Sequence, residues 1–287
     1  MIILYDDLQM CKQEIAANAV LGPDEYIDAE DGLVHCSVCR ERRMSVVKRN
    51  FFQGYFFPRC PCSCQIEEEQ KKKAHQAQRE RMERIKRRRA HDLRDKSLQQ
   101  YTFDHDNGSN PVMEKARAYV RNWKEAFRNN TGLLLFGDVG TGKSFFAGCI
   151  ANALIDHDVP VLMTSFPTIL NHLTGVYPEE RVEFINNLND YDLLIIDDLG
   201  VERSTEFAME QMFEVIDKRY RSGKPMIITT NLSLEQLRNP PDLAHARIYE
   251  RILERCAPIL FNGKNFRKQK SEDNKEAARR IVFSVSA

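Results

Sequence analysis

Between residues 112 and 261, short apolar runs alternate with longer stretches of helical spacing. The runs at 133–136, 159–163, 193–196, 226–230 and 259–261 are rich in aliphatic residues without strict alternation, the pattern of strands buried on both faces. Helices are expected over 112–129, 144–155, 169–188 (broken at 175–178), 207–221 and 247–255. Strands that alternate with helices predict an α/β domain, a five-stranded parallel sheet flanked by helices on both faces.

The preceding chain has a different texture. Residues 1 to about 30 read as one or two short helices, broken by Gly22-Pro23. A cysteine-rich segment follows. Residues 67–93 lack Pro and Gly and are polar all round, which predicts a long solvated helix without a core of its own. Asn107-Gly108-Ser109-Asn110-Pro111 breaks the chain, and the compact domain is expected to begin near Tyr101. The pattern divides the chain into an N-terminal module (1–66), a charged linker helix (67–100), the α/β domain (101–270) and a loose, flexible polar tail (271–287).

Lys and Arg total 42 and Asp and Glu total 42, so no whole-molecule field draws nucleic acid. The charge is local instead. Residues 71–89 carry ten Lys or Arg against two Glu, either a solvated face or an arm that tracks phosphates or docks a partner. No basic stretch precedes an apolar run at the N-terminus, and no apolar run approaches the ~20 residues that span a bilayer. A soluble, cytoplasmic protein with no membrane partner is expected.

The chemistry begins after the 133–136 run. Gly137-Asp138-Val139-Gly140-Thr141-Gly142-Lys143-Ser144 fits G-x-x-x-x-G-K-[ST], placed between a buried strand and a helix as that motif requires. Glycines there let backbone N–H groups wrap a phosphate, Lys143 reaches the β- and γ-phosphates of ATP, and Ser144 offers a hydroxyl to Mg²⁺. The run 193–196 ends in Asp197 and Asp198. Asp197 is expected at the magnesium and Asp198 at the attacking water; alternatively the two acids cap the next helix. The strand 226–230 ends in Asn231, a candidate to orient that water beside the γ-phosphate, or a turn former. Arg247, Arg251 and Arg255 share one helix face. They suit either an anionic partner or pairing with Glu250 and Glu254 on a solvated face. Arg267 is a further candidate to sense the γ-phosphate.

Five of the eight cysteines crowd into one segment: Cys36, Cys39, Cys60, Cys62 and Cys64. In a chain without a secretory signal, such clustering favours a metal over disulfides, and four thiolates satisfy tetrahedral Zn²⁺. Cys36, Cys39, Cys60 and one of Cys62 or Cys64 are the favoured set, with His35 a poorer ligand. A redox or iron–sulfur role is the rival. Phe51, Phe52, Tyr55, Phe56 and Phe57 are either the core of this module or an apolar surface for a partner.

The segments GDVGTGKS, LLIIDDLG, IITTNL, RIYER and FNGKNFR together resemble the DnaC/DnaI helicase-loader branch of the AAA+ ATPases, with the IstB transposition ATPases as close kin. The likeness covers about residues 101–270. It implies an AAA+ P-loop fold, with Arg251 at the arginine-finger position and Arg267 at the second sensor. It also implies self-association through the ATP sites, binding of a hexameric replicative helicase by the N-terminal region, and binding of single-stranded DNA by the ATPase domain. Many AAA+ proteins have Glu where Asp198 stands, so a shorter acid and slow turnover are expected here. A transposition ATPase is the alternative. A metabolic phosphotransferase is disfavoured, because no insertion for a substrate lid is visible.

Overall fold

The computed structural model describes residues 5–48, 55–93, 95–108, 110–200 and 205–283, so Phe51 and Phe52 lie outside the described residues. The chain divides into two compact units, Met1–Met82 and Glu83–Ala287.

The first unit holds helix α1 (Tyr5–Asn18) and the antiparallel pair β1 (Glu25–Ile27) and β2 (Val34–Cys36). A second antiparallel pair, β3 (Val47–Lys48) and β4 (Tyr55–Phe56), precedes helix α2 (Ser63–Asp92), which runs past the division. Its core is small: Ile15, Leu33, Val34 and Met44, with Ala19, Ile27, Val46 and Phe57 against them. Of the aromatic run, Phe57 joins this core while Phe56 is 52 % exposed. So little apolar surface is a weak counterweight to the entropy of ordering the segment, which motivates a covalent or metal staple.

The second unit continues with α3 (Lys96–Gln99), α4 (Met113–Arg121), α5 (Trp123–Arg128), β5 (Gly132–Gly137) and α6 (Lys143–Asp156). Then come β6 (Val161–Ser165), α7 (Phe166–Thr174), α8 (Pro178–Asn187), β7 (Leu193–Leu199) and α9 (Glu206–Ser222). The chain closes with β8 (Met226–Thr230), α10 (Leu234–Arg238), α11 (Leu243–Arg255), β9 (Cys256–Phe261) and α12 (Phe266–Phe283). The sheet order is β6-β7-β8-β5-β9, and all neighbours are parallel. Side chains of a strand alternate between faces, and the core splits accordingly. Leu133, Leu135, Leu193, Ile195 and Ile227 pack with α4 and α6, whereas Leu134, Leu194, Ile196 and Ile228 pack with α7, α9 and α11. This is the expected α/β architecture with helices on both faces. It sets the carboxyl ends of β5, β7 and β8 side by side, where ligands bind in such sheets.

Two segments differ from the sequence reading. The compact second unit starts before Tyr101, because Ile85 and Leu93 are buried in the layer of α4 and α6. Arg84 and Arg88 also pair with Asp158 at 2.8 and 3.0 Å, and Arg89 pairs with Asp156, so part of the basic run is already committed. After Arg267 a helix, α12, stands where a loose tail is expected. Lys, Glu, Ala and Arg are strong helix formers, and Arg280 meets Glu276 at 2.5 Å one turn away.

Candidate nucleotide site and cysteine cluster

The loop from β5 to α6 is built on left-handed glycines. Gly137 has φ of 123° and Gly140 of 80°. A Cβ on Gly137 would lie 2.2 Å from the Phe261 carbonyl oxygen, and one on Gly140 would lie 2.3 Å from Asn265 Oδ1. Neither position admits a side chain. Thr141 Oγ1 ties the loop to the Asp138 carbonyl at 2.7 Å. Lys143 is only 6 % exposed, and its Nζ donates to the carbonyls of Gly137 and Asp138, both at 2.7 Å, and to Asn231 Oδ1 at 2.8 Å. Burial lowers the Lys143 pKa, while the charges of Asp198, Asp138 and Asp197 oppose that shift.

At the end of β7 the parallel ladder slips. Ile196 pairs with Ile228 but Leu199 pairs with Thr230, so Asp197 and Asp198 together face the single residue Thr229. This is a β-bulge, a device that re-aims side chains. Asp198 has φ of 58°, a left-handed conformation that Asp tolerates better than most residues. Asp197 Oδ1 accepts from Ser144 Oγ at 3.0 Å and from Thr229 Oγ1 at 2.5 Å. Burial raises the Asp197 pKa, and the hydrogen bonds from Thr229 and Ser144 pull the other way.

A cavity of about 300 Å³ opens over these groups, lined by Val139, Gly140, Gly142, Lys143, Ser144, Asp198, Asn231 and Arg267. Tyr101, His105, Asn110, Met113 and Phe266 also line it. Glycine-lined amides, a buried lysine and an arginine suit a triphosphate. The Ser144 hydroxyl beside the Asp197 carboxylate is an oxygen pair that suits Mg²⁺. The site therefore fits a magnesium–nucleoside triphosphate.

A profile of the IstB-like ATP binding proteins matches residues 65–274. The chain belongs to that family. Among curated relatives, the replicative helicase loader DnaC of Escherichia coli K12 is 26 % identical over 178 residues, 60 % of this chain and 69 % of that protein. The replicative helicase loader DnaI of Bacillus subtilis is 25 % identical over 181 residues, 58 % of each chain. The chain thus spans little more than half of that relative. The crystal structure of DnaI shares the fold with a TM-score of 0.51 at 23 % identity, covering 60 % of this chain and 93 % of that one. The crystal structure of the DnaC helicase loader gives 0.50 at 23 % identity, covering 58 % of this chain and 100 % of that one.

In this IstB-like chain, Arg267 joins the pocket of its own protomer and Arg251 does not. Arg251 lies on α11, where its Nε donates to Asp217 Oδ1 at 2.8 Å and its Nη1 to the Arg247 carbonyl at 2.7 Å. Its guanidinium also covers the Phe213 ring at 4.8 Å.

Three contributors escape the sequence reading. Asn265 Nδ2 donates to the Val139 carbonyl at 2.8 Å and the Phe266 N–H to the Gly140 carbonyl at 2.9 Å, so the start of α12 clips the glycine loop. Thr229 sits inside a strand where composition signals only β-propensity. The residues 101–110 that line the cavity carry no motif.

The cysteine segment lies almost entirely ahead of the profile match. The Sγ atoms of Cys36, Cys39, Cys62 and Cys64 lie within 4.8 Å of one another. Cys60 falls outside this set, contrary to the favoured one; its Sγ donates to the Arg42 carbonyl at 3.5 Å. His35 is also excluded, because its ring nitrogens are engaged by the Arg40 carbonyl and Asp31. Four sulfurs at one point suit a tetrahedral thiolate metal. Arg43 Nε donates to Cys62 Sγ at 3.4 Å. Burial pushes the Cys62 thiol up, but hydrogen bonds from Arg43 and the Gln65 backbone outweigh it and the net shift is down. The Glu41 backbone hydrogen bond leads in lowering Cys39 to about 6. N–H donors aimed at sulfur favour the thiolates a metal requires.

Proposed function

We propose that this chain is an ATP-dependent loader that binds a hexameric replicative helicase and delivers it to single-stranded DNA, with slow ATP hydrolysis as a switch. The observation that carries this reading is the convergence of Lys143, Ser144, Asp198 and Asn231 at one cavity, with Asp197 bonded to Ser144, in a chain similar to two proteins named replicative helicase loaders.

In this reading Gly137 to Ser144 hold the phosphates and Asp197 with Ser144 holds Mg²⁺. Asp198 polarises the attacking water, which Asn231 orients, and Arg267 senses the γ-phosphate. Arg251 reaches the triphosphate of a neighbouring copy, so ATP links protomers. The N-terminal module, residues 1–66, docks the helicase and is stapled by Zn²⁺ on Cys36, Cys39, Cys62 and Cys64. Helix α2 leads from it into the second unit, Glu83–Ala287, which carries the ATPase site and ends in α12. The setting is the cytoplasm; no helix among the described residues is long and apolar enough to cross a membrane.

Tagged full chain should retain a replicative helicase in the presence of MgATP, and Lys143→Ala should not. Membership of the IstB-like ATP binding proteins leaves a second reading open, an ATPase that assists DNA transposition. Capture of a transposase with no capture of a replicative helicase would support that alternative and overturn the loader.

A further inference from the structure

At the β7 bulge two acids with different duties stand opposite one residue. Thr229 is fully buried, and its single hydroxyl serves both acids. It donates to Asp197 Oδ1 at 2.5 Å and accepts the Asp198 backbone N–H at 2.9 Å. A hydroxyl can donate and accept at once, which neither an ionised carboxylate nor an ammonium group achieves. Asp198 is held in a left-handed conformation, a state that persists only where its surroundings over-determine it. The acceptor for its N–H is that same hydroxyl.

We propose that Thr229 is a positioning residue for the hydrolytic site: its hydroxyl fixes the bulge so that Asp197 meets Ser144 while Asp198 turns into the cavity. The ladder without the slip would place one acid, not two, opposite Thr229, and the alternation of strand side chains would then send Asp198 to the other face of the sheet. Thr229 does not line the cavity, so it acts only through its two neighbours. This inference rests on the magnesium–ATP reading of the site.

The test is Thr229→Val, which keeps shape and β-branching but removes the hydroxyl, beside Thr229→Ser, which keeps the hydroxyl. A fluorescent ATP analogue is titrated into each full-length protein, first in chelator and then with increasing Mg²⁺, and turnover is measured. Loss of an outer partner of a metal-binding carboxylate weakens metal affinity by about 10–100-fold. Thr229→Val should therefore bind the analogue normally in chelator, need about 10–100-fold more Mg²⁺ to tighten it, and turn over more slowly at saturating ATP. Thr229→Ser should restore the Mg²⁺ requirement. The proposal is overturned if Thr229→Val matches wild type in Mg²⁺ requirement and turnover, or if it also loses binding in chelator, which marks a merely structural contact. It is equally overturned if Thr229→Ser fails as Thr229→Val does. Wild-type protein whose binding ignores Mg²⁺ would instead sink the underlying reading of the site.

Discussion

Asp197 is held in the folded chain at a cost. Burial raises its pKa, so the folded protein holds that proton to higher pH than the unfolded chain. Stability from this group is present at acid pH and falls as pH rises through its raised value. Asp197→Asn should therefore raise the melting temperature of metal-free protein at neutral pH, and the gain should vanish as pH falls below the usual carboxylate range. A melting series across pH without Mg²⁺ checks this; an equal gain at all pH values would show that charge is not the cause. Asp198 is proposed for a different duty. Asp198→Asn keeps a residue tolerant of φ near 58° while removing the carboxylate proposed to polarise water, so nucleotide should still bind as turnover falls by about 10²-fold or more. Both acids were legible from the apolar run that ends in them. Thr229 was not, because its partners meet it only through a register slip that no local pattern announces. The cysteines show the same limit. Spacing offered five candidates for four places and favoured Cys60, but α2 starts at Ser63 and its first turn sets Cys64 beside Cys62, while Cys60 bonds the Arg42 carbonyl. Cys64→Ser should lose bound zinc in metal analysis of reduced protein, and Cys60→Ser should keep one zinc per chain.

Among the elements, α2 illustrates what polar composition hides. A thirty-residue helix dominated by Lys, Arg, Glu and Gln reads as solvated throughout, and mean polarity outvotes its few apolar residues. Ile85 and the following Leu93 nevertheless enter the core of the second unit. The ion pairs of Arg84 and Arg88 to Asp158 are part exposed, and pairs of that kind contribute about 0–1 kcal/mol. Truncating a buried aliphatic side chain costs about 2–5 kcal/mol. Ile85→Ala should thus lower denaturant stability clearly more than Arg84→Ala, and the reverse order would mean that charge anchors this end of α2. The strands were easier to read. Five aliphatic runs became β5 to β9 within a few residues; the apolar runs of the central strands β5, β7 and β8 are buried on both faces and leave no polar position to blur them.

For the whole molecule, the parallel order β6-β7-β8-β5-β9 gathers the Gly137 loop, the paired acids and Asn231 at one edge. That convergence follows from strand alternation plus three motifs, so the core of the site was readable without coordinates. The proposed role of Arg251 was less so, since it rests on a neighbouring copy and Arg251 does not line the cavity. Arg251 is pinned by Asp217 and stacked on Phe213. Arg251→Ala should leave ATP binding intact and abolish any rise of specific activity with protein concentration; a retained rise would remove Arg251 from the shared site. Turnover of isolated protein should stay well below the ~10 s⁻¹ typical of enzymes.

Everything at this scale depends on the triphosphate occupying the glycine loop with its metal. Equilibrium titration of purified full-length protein with ATP, with and without Mg²⁺, beside Lys143→Ala, measures this directly. Saturable binding that Mg²⁺ tightens and Lys143→Ala abolishes is the predicted result. Wild-type protein that retains no adenine nucleotide in Mg²⁺, or Lys143→Ala protein that binds as well as wild type, would contradict it.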